Sequence, residues 1–138
     1  MKILFVGFAL VIGVLDCAKS DADPVRTIDL HKGENYDKEF KGQDVKISLL
    51  EISDSRCPEN VQCVWAGEAR VGVQVEIGST VNDSLGLCLD CTVTPGLADA
   101  KTYTVDGQSF RIVLTEVNPY PKDTTAETIE QKAVFELQ

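Results

Sequence analysis

The chain has 138 residues and carries 13 Lys and Arg against 22 Asp and Glu, a formal net charge of −9. We expect neither nucleic acid nor anionic lipid headgroups as partners, because contacts with phosphate require Lys or Arg. The length fits one domain that can bury a core of its own.

The N-terminus has the layout of a secretory signal peptide. Lys2 is followed by thirteen uncharged residues, Ile3 to Leu15, which correspond to the positive and apolar regions of such a signal. This run is shorter than the about 20 apolar residues that a membrane-spanning helix needs. We therefore predict that residues 1–16 are a signal peptide.

Cys17 directly follows the apolar region, and this position predicts that it carries a lipid anchor. Asp16 departs from the small residue that usually precedes a lipidated cysteine, so ordinary secretion is the alternative. Residues 17–24 are interpreted as the lipidated cysteine and its tether, and residues 25–138 as a single domain. Four of the five cysteines then remain, the even number expected of an exported protein without a free thiol.

Short alternating segments in the rest of the chain predict β-strands. Apolar and polar residues alternate at 27–30 and at 45–49, and the pattern is clearest at 69–77. Gly78-Ser79 is typical of a two-residue type II′ hairpin turn. Asp106-Gly107 predicts a second hairpin, in which both turn positions need a positive φ.

The C-terminal part continues this pattern. A return strand with Phe110, Ile112 and Leu114 on one face ends at the proline-containing loop 118–121, and residues 133–137 read as a closing strand. Residues 124–132 have a helix-like composition but no apolar stripe. The fold class predicted is all-β: a disulfide-stapled antiparallel β-sandwich, immunoglobulin-like or related, of seven to eight short strands.

The most informative segment is residues 54–68, which read Asp-Ser-Arg-Cys-Pro-Glu-Asn-Val-Gln-Cys-Val-Trp-Ala-Gly-Glu. It resembles the signature of a family of uncharacterised exported bacterial proteins, many of them Bacteroidetes-type lipoproteins. That signature is Asp-Ser-Arg-Cys-Pro, a short spacer, then Cys-Val-Trp-Ala-Gly-Glu or Asn. The resemblance extends more loosely to the following strand, to the 118–121 loop and to the C-terminal strand. It implies export and the fold, and it implies no particular activity.

Several side chains of this segment have a predicted structural role. A bridge between Cys57 and Cys63 would close a seven-residue ring and stabilise the fold by about 2 kcal/mol. Trp65, the only Trp, is expected to pack against that disulfide or to cap one end of the core. Gly67 predicts a bulge or a close approach of two backbone segments.

The segment is also the candidate functional loop. One interpretation is a stapled corner between two strands, and the other is a rigid recognition loop, because binding residues concentrate on loops that a scaffold holds. Arg56 is expected to form a charge-assisted pair with Asp54 or with Glu68. The residues singled out in this loop are Asp54, Ser55, Arg56, Trp65 and Glu68.

Cys88 and Cys91 have the Cys-x-x-Cys spacing of thioredoxin-like redox sites, which place a thiolate at a helix N-terminus. The alternating leucines at 85–89 instead suggest a strand that enters a turn. Four cysteines are also enough for a zinc site, but an oxidising compartment favours two disulfides. Three pairings are open, and the sequential one, Cys57 with Cys63 and Cys88 with Cys91, is the first choice.

Catalytic and metal-binding signals are sparse. The single His31 lies beside Lys32 and Gly33, where it reads as a solvated turn residue, and no carboxylate belongs to a recognisable hydrolase motif. We expect no cofactor. Oxygen ligands for Ca²⁺ are available in predicted loops, although no Asp-x-Asp-x-Asp-Gly pattern is present: Asp54, Glu59, Asp83, Asp90 and Asp99.

The function expected from the sequence is that of a non-enzymatic envelope lipoprotein, a binding or structural module held at the outer membrane or cell surface. Its expected partners are a protein or another envelope component, and the membrane itself through the lipid. One alternative is a secreted inhibitor or ligand-capturing module that uses the Cys57–Cys63 loop. A weaker alternative is a thiol-redox protein that uses Cys88 and Cys91.

Overall fold

The computed structural model describes residues 24–91, 94–122 and 130–138. Over these residues the chain forms eight β-strands and no helix. The strands are β1 (Arg26–His31), β2 (Asn35–Phe40), β3 (Gln43–Asp54), β4 (Ala69–Ile77), β5 (Val81–Leu89), β6 (Ala100–Val105), β7 (Gln108–Asn118) and β8 (Lys132–Leu137).

Some predictions fall on parts of the chain that the structure does not describe. The predicted signal peptide, Cys17 and the tether as far as residue 23 lie outside the described residues, and so do residues 124–129 of the segment with helix-like composition. In the described ranges, no helix has the length and apolar character needed to cross a membrane.

The strands form two four-stranded antiparallel sheets that pack as a sandwich, which confirms the predicted fold class. One sheet has the order β1-β8-β7-β6 and the other β2-β3-β4-β5. Neighbours in each sheet are neighbours in sequence, apart from β1 and β8. Immunoglobulin domains instead interleave strands that are distant in sequence, so this sandwich is of the related kind.

The core lies between the two sheets, and alternation along each strand decides which side chains enter it. On β4, Ala69, Val71, Val73, Val75 and Ile77 are buried, as predicted, while the residues between them face outward. A bulge between Leu49 and Glu51 inserts one residue into β3 and places Ile52 back on the core side. The largest fully buried side chains include Phe110 and Phe135.

The turns predicted from the sequence are present, and two details of the predictions differ from the structure. Asp106 and Gly107 have φ values of 50° and 78°, as a hairpin turn with two positive φ angles requires. The β4–β5 hairpin is present, but its loop has three residues rather than two, because Ile77 pairs with Val81. Asp83, predicted in a loop, lies on β5.

Strand β2 was not predicted. Its sequence, Asn-Tyr-Asp-Lys-Glu-Phe, carries three charged residues and only two aromatic ones. It lies at the edge of its sheet, where charged side chains are common because they discourage pairing with another chain.

The two ends of the sandwich differ. At one end, named the hairpin end, the strands are joined by the short turns 41–42, 78–80 and 106–107. The chain also enters there, because Arg26 pairs with Leu137 next to Ile112.

The opposite end, named the loop end, contains the β1–β2 turn and the three long connections of the chain: 55–68, 90–99 and 119–131. The last two connections are described in part. The functional loop predicted from the sequence therefore lies at the loop end.

Candidate functional site

Loop 55–68 joins β3 to β4 as an extension of their hairpin. Two backbone hydrogen bonds continue the ladder beyond the strands, from Ser55 N to Glu68 O at 2.9 Å and from Cys57 N to Ala66 O at 2.7 Å. Cys57 and Cys63 form a disulfide with a Cα–Cα distance of 5.9 Å. The loop is thus a stapled corner between two strands, as one of the two interpretations predicted.

A buried ion pair fixes the base of this loop. Arg56 donates through Nε to Asp54 Oδ1 at 2.9 Å and through NH2 to Oδ2 at 2.6 Å, and the two side chains are only 8% and 2% exposed. The predicted pairing of Arg56 with Asp54 is confirmed, and Glu68 is not its partner. Bidentate pairs of this kind are strong and directional.

Arg56 also connects the loop to the opposite sheet. Its NH2 group donates to Val117 O at 2.7 Å, and its guanidinium lies 4.4 Å from the ring centre of Tyr120. Hydrogen bonding to Asp54 raises the pKa of Arg56, which burial lowers to a smaller extent. The guanidinium is therefore a permanent cation that ties β3 to the end of β7. Sequence reasoning missed these two contacts, because nothing local relates residue 56 to residues 117 and 120.

Gly67 permits a close approach of two backbone segments, as predicted. Its φ is +73°, and a Cβ at this position would lie 1.9 Å from the carbonyl oxygen of Ser55. The Ser55 hydroxyl donates to Glu68 O at 3.0 Å on the same side of the loop. No other residue type fits this position without moving the backbone.

The prediction for Trp65 is wrong. Trp65 neither packs against the disulfide nor caps the core, since it is 73% exposed, and the adjacent Val64 is 97% exposed. Both residues lie between Cys63 and Ala66, beyond the last ladder hydrogen bond at Cys57 N. The side chains buried at the base of the loop are instead those of Arg56 and Asp54.

A cleft of about 490 Å³ lies beside Trp65. Glu68, only 4% exposed, accepts a hydrogen bond from Thr94 N at 3.2 Å and another from the Thr94 hydroxyl, and Arg70 Nε lies 3.4 Å from Glu68 Oε1. The Glu68 contact with Thr94 was not predictable, because the two residues belong to different connections. The cleft is lined by Ser55, Trp65, Gly67, Glu68, Arg70 and Thr94.

The second disulfide joins Cys88 to Cys91, so the sequential pairing is the one found and the zinc interpretation is wrong. Cys88 is buried at the end of β5, and its backbone N–H donates to Ala98 O at 3.0 Å. Cys88 is part of β5, and the described residues on either side of the pair contain no helix.

The acidic residues considered for Ca²⁺ do not converge in the described ranges, where no group of three or more His, Cys, Asp and Glu side chains is positioned to hold a metal. Asp54 is engaged by Arg56, and Asp83 accepts a hydrogen bond of 2.9 Å from Tyr103 OH. Burial and this hydrogen bond raise the pKa of Tyr103. His31 lies at the end of β1, with Nδ1 3.2 Å from Glu34 Oε2.

No family model, no curated protein and no solved structure matches this chain. The family resemblance of residues 54–68 therefore stays a prediction from the sequence.

Proposed function

We propose that this chain is an exported, non-enzymatic binding module, anchored to the cell envelope by a lipid on Cys17, and that it binds its partner with loop 55–68. The observation that carries the proposal is the exposure of Val64 and Trp65 on a loop whose base is fixed. A rigid aromatic side chain offers contact area at a low entropic cost, and Trp is enriched among residues that dominate binding energy.

The position of the loop supports this role. Pro24 lies at the hairpin end, where it lines a cleft together with Lys41 and Ser109. The nine residues of β4 span about 30 Å between the two ends of the sandwich. A lipid on Cys17 would attach the chain on the side of the hairpin end, and Trp65 belongs to the opposite end of the sandwich. The loop is then available to a partner in the surrounding envelope rather than to the membrane that holds the protein.

The binding claim is tested by comparing two exposed residues at opposite ends. The mature chain, residues 17–138, is incubated with an isolated envelope fraction, and the bound amount is measured for Trp65→Ala and for Val25→Ala. Val25 is also exposed but lies at the hairpin end. We expect Trp65→Ala to weaken retention by at least about tenfold and Val25→Ala to leave it unchanged. Equal retention of both variants would contradict the role of the loop.

The anchor is tested separately, because the same loop would serve the alternative, a secreted inhibitor that inserts Trp65 into its target. Intact-mass analysis of the protein from the membrane fraction should show residues 17–138 plus the mass of the added lipid. A mature chain that starts at Cys17 without added mass contradicts the anchor and favours the secreted alternative. Retention of a single protease, lost in Trp65→Ala, would point to the same alternative.

A further inference from the structure

The cleft beside Trp65 continues into a second depression on the outer face of the β2-β3-β4-β5 sheet. This second cleft, of about 260 Å³, is lined by Glu51, Ser53, Arg70, Val71, Gly72, Gly86 and Leu97. Arg70 lines both clefts. The two depressions therefore adjoin at Arg70, and together they are named the Trp65 groove, with Arg70 at its centre.

The floor of the second cleft is low because two glycines face each other there. Gly72 and Gly86 are paired across β4 and β5, on the outward face of the sheet. Their missing side chains leave the backbone accessible, while Leu97 forms a wall close to Gly86, where an added Cβ would lie 3.3 Å from Leu97 Cδ2. An elongated, shallow groove of this kind fits a linear ligand better than a compact one.

The chemistry of the groove favours a neutral, polyhydroxylated ligand. Arg70 is 46% exposed and presents its guanidinium donors to the groove, while Glu68, only 4% exposed and bonded to Thr94, pairs with Arg70 Nε at 3.4 Å and holds it in place. The oxygen of a hydroxyl group accepts hydrogen bonds, and neighbouring hydroxyls match the several donors of one guanidinium. The exposed ring system of Trp65 supplies an apolar surface next to the pair.

Other ligand classes fit less well. A cationic group would be repelled by the exposed Arg70, and an anionic group would be repelled by the net charge of −9. A purely apolar side chain would remove water from the 46% exposed Arg70 without replacing its hydrogen bonds, which is costly.

An extended peptide is disfavoured by the sheet itself. Peptides that bind along a sheet usually add a strand to an exposed edge. The groove lies over β3 and β4 at its Trp65 side, and these are the two inner strands of the sheet. Their backbone groups are already used in the ladders that join β2 to β3, β3 to β4 and β4 to β5.

We propose that the Trp65 groove binds a neutral, linear glycan, with one sugar ring on Trp65 and hydroxyl groups of the adjoining rings on the Arg70 guanidinium that Glu68 holds in place. This inference rests on the proposed function, because it names the class of envelope component that the loop recognises. Each ring adds apolar contact and hydrogen bonds along the groove, so that affinity rises with the number of rings.

The single Trp of the sequence makes the test site-specific. The mature chain is titrated in a detergent without a sugar headgroup, and Trp65 emission is followed with the hexasaccharides of N-acetylglucosamine, glucose (β-linked and α-linked) and mannose. For at least one of these probes we expect a shift of the emission to shorter wavelength, because the ring loses water contact. Dissociation constants on the order of 1 mM for a disaccharide should fall about tenfold for the hexasaccharide.

Substitutions test whether the glycan binds in the groove rather than elsewhere on the sheet. Arg70→Gln should weaken hexasaccharide binding by about tenfold, because it removes the guanidinium donors, and Glu68→Gln should also weaken it, because the guanidinium is no longer held in place. Glu76→Gln is the matched control, since Glu76 lies on β4 like Arg70 and pairs with Lys46, but near the hairpin end. If Glu68→Gln fails to fold, Arg70→Gln decides the test, because the Arg70 side chain is half-exposed and its replacement should not unfold the domain. Equal binding by Arg70→Gln and Glu76→Gln overturns the proposal.

Charged and peptide probes provide the remaining outcomes. Hexalysine, an oligogalacturonate and a neutral hydrophobic hexapeptide are titrated in the same way, and none should shift Trp65 emission as the neutral glycan does. A response to one of these probes, with no response to any neutral glycan, overturns the glycan assignment. If Trp65→Ala still abolishes retention on the envelope fraction in that case, the proposed function stands and only the ligand class is wrong.

Discussion

At the hairpin end, turns of two or three residues join strands that are adjacent in sequence, and the side-chain contacts across the two sheets are exposed ones, such as Gln43 with Asp106 at 3.0 Å. At the loop end, the corresponding contacts are buried and charged. Arg56 and Asp54 are almost fully enclosed, and Glu68, only 4% exposed, lines the cleft beside Trp65 and accepts hydrogen bonds from Thr94. Buried polar groups are therefore concentrated at the base of the exposed loop, and their contacts fix the shape of that loop.

The largest expected effect follows from removing the cation at the loop end. Arg56→Met leaves the Asp54 carboxylate buried without its counter-charge, and it removes the hydrogen bond to Val117 O. We expect a loss of about 3–5 kcal/mol in the free energy of unfolding, measured by urea denaturation. Arg111→Met on the exposed face of β7 is the control and should change stability by less than about 0.5 kcal/mol. Similar losses in both variants would remove the distinction between the two ends.

Two glycines with nearly the same backbone conformation sharpen the comparison. Gly67 at the loop end has a φ of +73°, and Gly107 at the hairpin end has a φ of +78°, but only Gly67 has backbone atoms where a Cβ would stand. Gly107→Ala should cost about 1 kcal/mol for the left-handed conformation. Gly67→Ala should cost about 2–4 kcal/mol, since steric overlap adds to that strain. Thermal unfolding of both variants measures the difference, and equal costs would contradict the close approach.

Removal of the loop disulfide should have a smaller, local effect. The double substitution Cys57→Ala with Cys63→Ala should reduce stability by about 2 kcal/mol, because the unfolded chain regains the entropy of a seven-residue ring. Hydrogen exchange should accelerate at Cys57 N, which donates to Ala66 O, and not at Gly78 N in the hairpin end, which donates to Asp44 O. Acceleration at both amides would show that the two ends are coupled.

Alkaline pH tests the hydrogen bond between Tyr103 on β6 and Asp83 on β5, which joins the two sheets. The pKa of Tyr103 is raised by burial and by its hydrogen bond to Asp83, above the value of about 10 of an unfolded tyrosine. Above pH 10, the unfolded chain therefore loses this proton while the folded chain keeps it, and stability falls as the pH rises. Tyr103→Phe should show a shallower fall between pH 9.5 and 11 than the unsubstituted protein, in urea unfolding at each pH. Equal slopes would contradict the raised pKa.

The smallest effect is expected for the most conspicuous residue of the loop. Trp65→Ala should change the free energy of unfolding by less than about 0.5 kcal/mol, because its side chain is 73% exposed. Phe110→Ala, in the core, should cost about 3–5 kcal/mol. A large loss of stability in Trp65→Ala would show that the indole has a structural role, and it would remove the support for the proposed function.

The hairpin end was readable from the sequence because its signals are local. Asp106-Gly107 and Gly78-Ser79 specify turns through the φ angles of the turn residues themselves, and the alternation of valines in β4 specifies which face is buried. Strand β2 escaped prediction, since an edge strand with charged residues carries little alternating hydrophobicity. The predictions for residues 1–17 stay predictions, because these residues lie outside those that the structure describes.

Only some of the contacts at the loop end could be predicted from the sequence. The pair of Arg56 with Asp54 spans two residues, and Gly67 is a local signal, so both were foreseen. The contacts of Arg56 with Val117 and of Glu68 with Thr94 join segments far apart in sequence. The local pattern of a single sequence does not predict such contacts. Trp65 was misplaced for the same reason: its burial depends on whether other residues have already filled the end of the core.

The pairing of Arg26 with Leu137 has a practical consequence for display of the domain. A tag placed after residue 138 emerges beside the point where the chain enters the first strand, about 30 Å from Trp65 along the length of β4. Immobilisation through such a tag on a sensor chip attaches the domain at its hairpin end and leaves the loop end open to the flowing analyte. The same geometry lets a fluorescent reporter be appended without shielding the proposed groove.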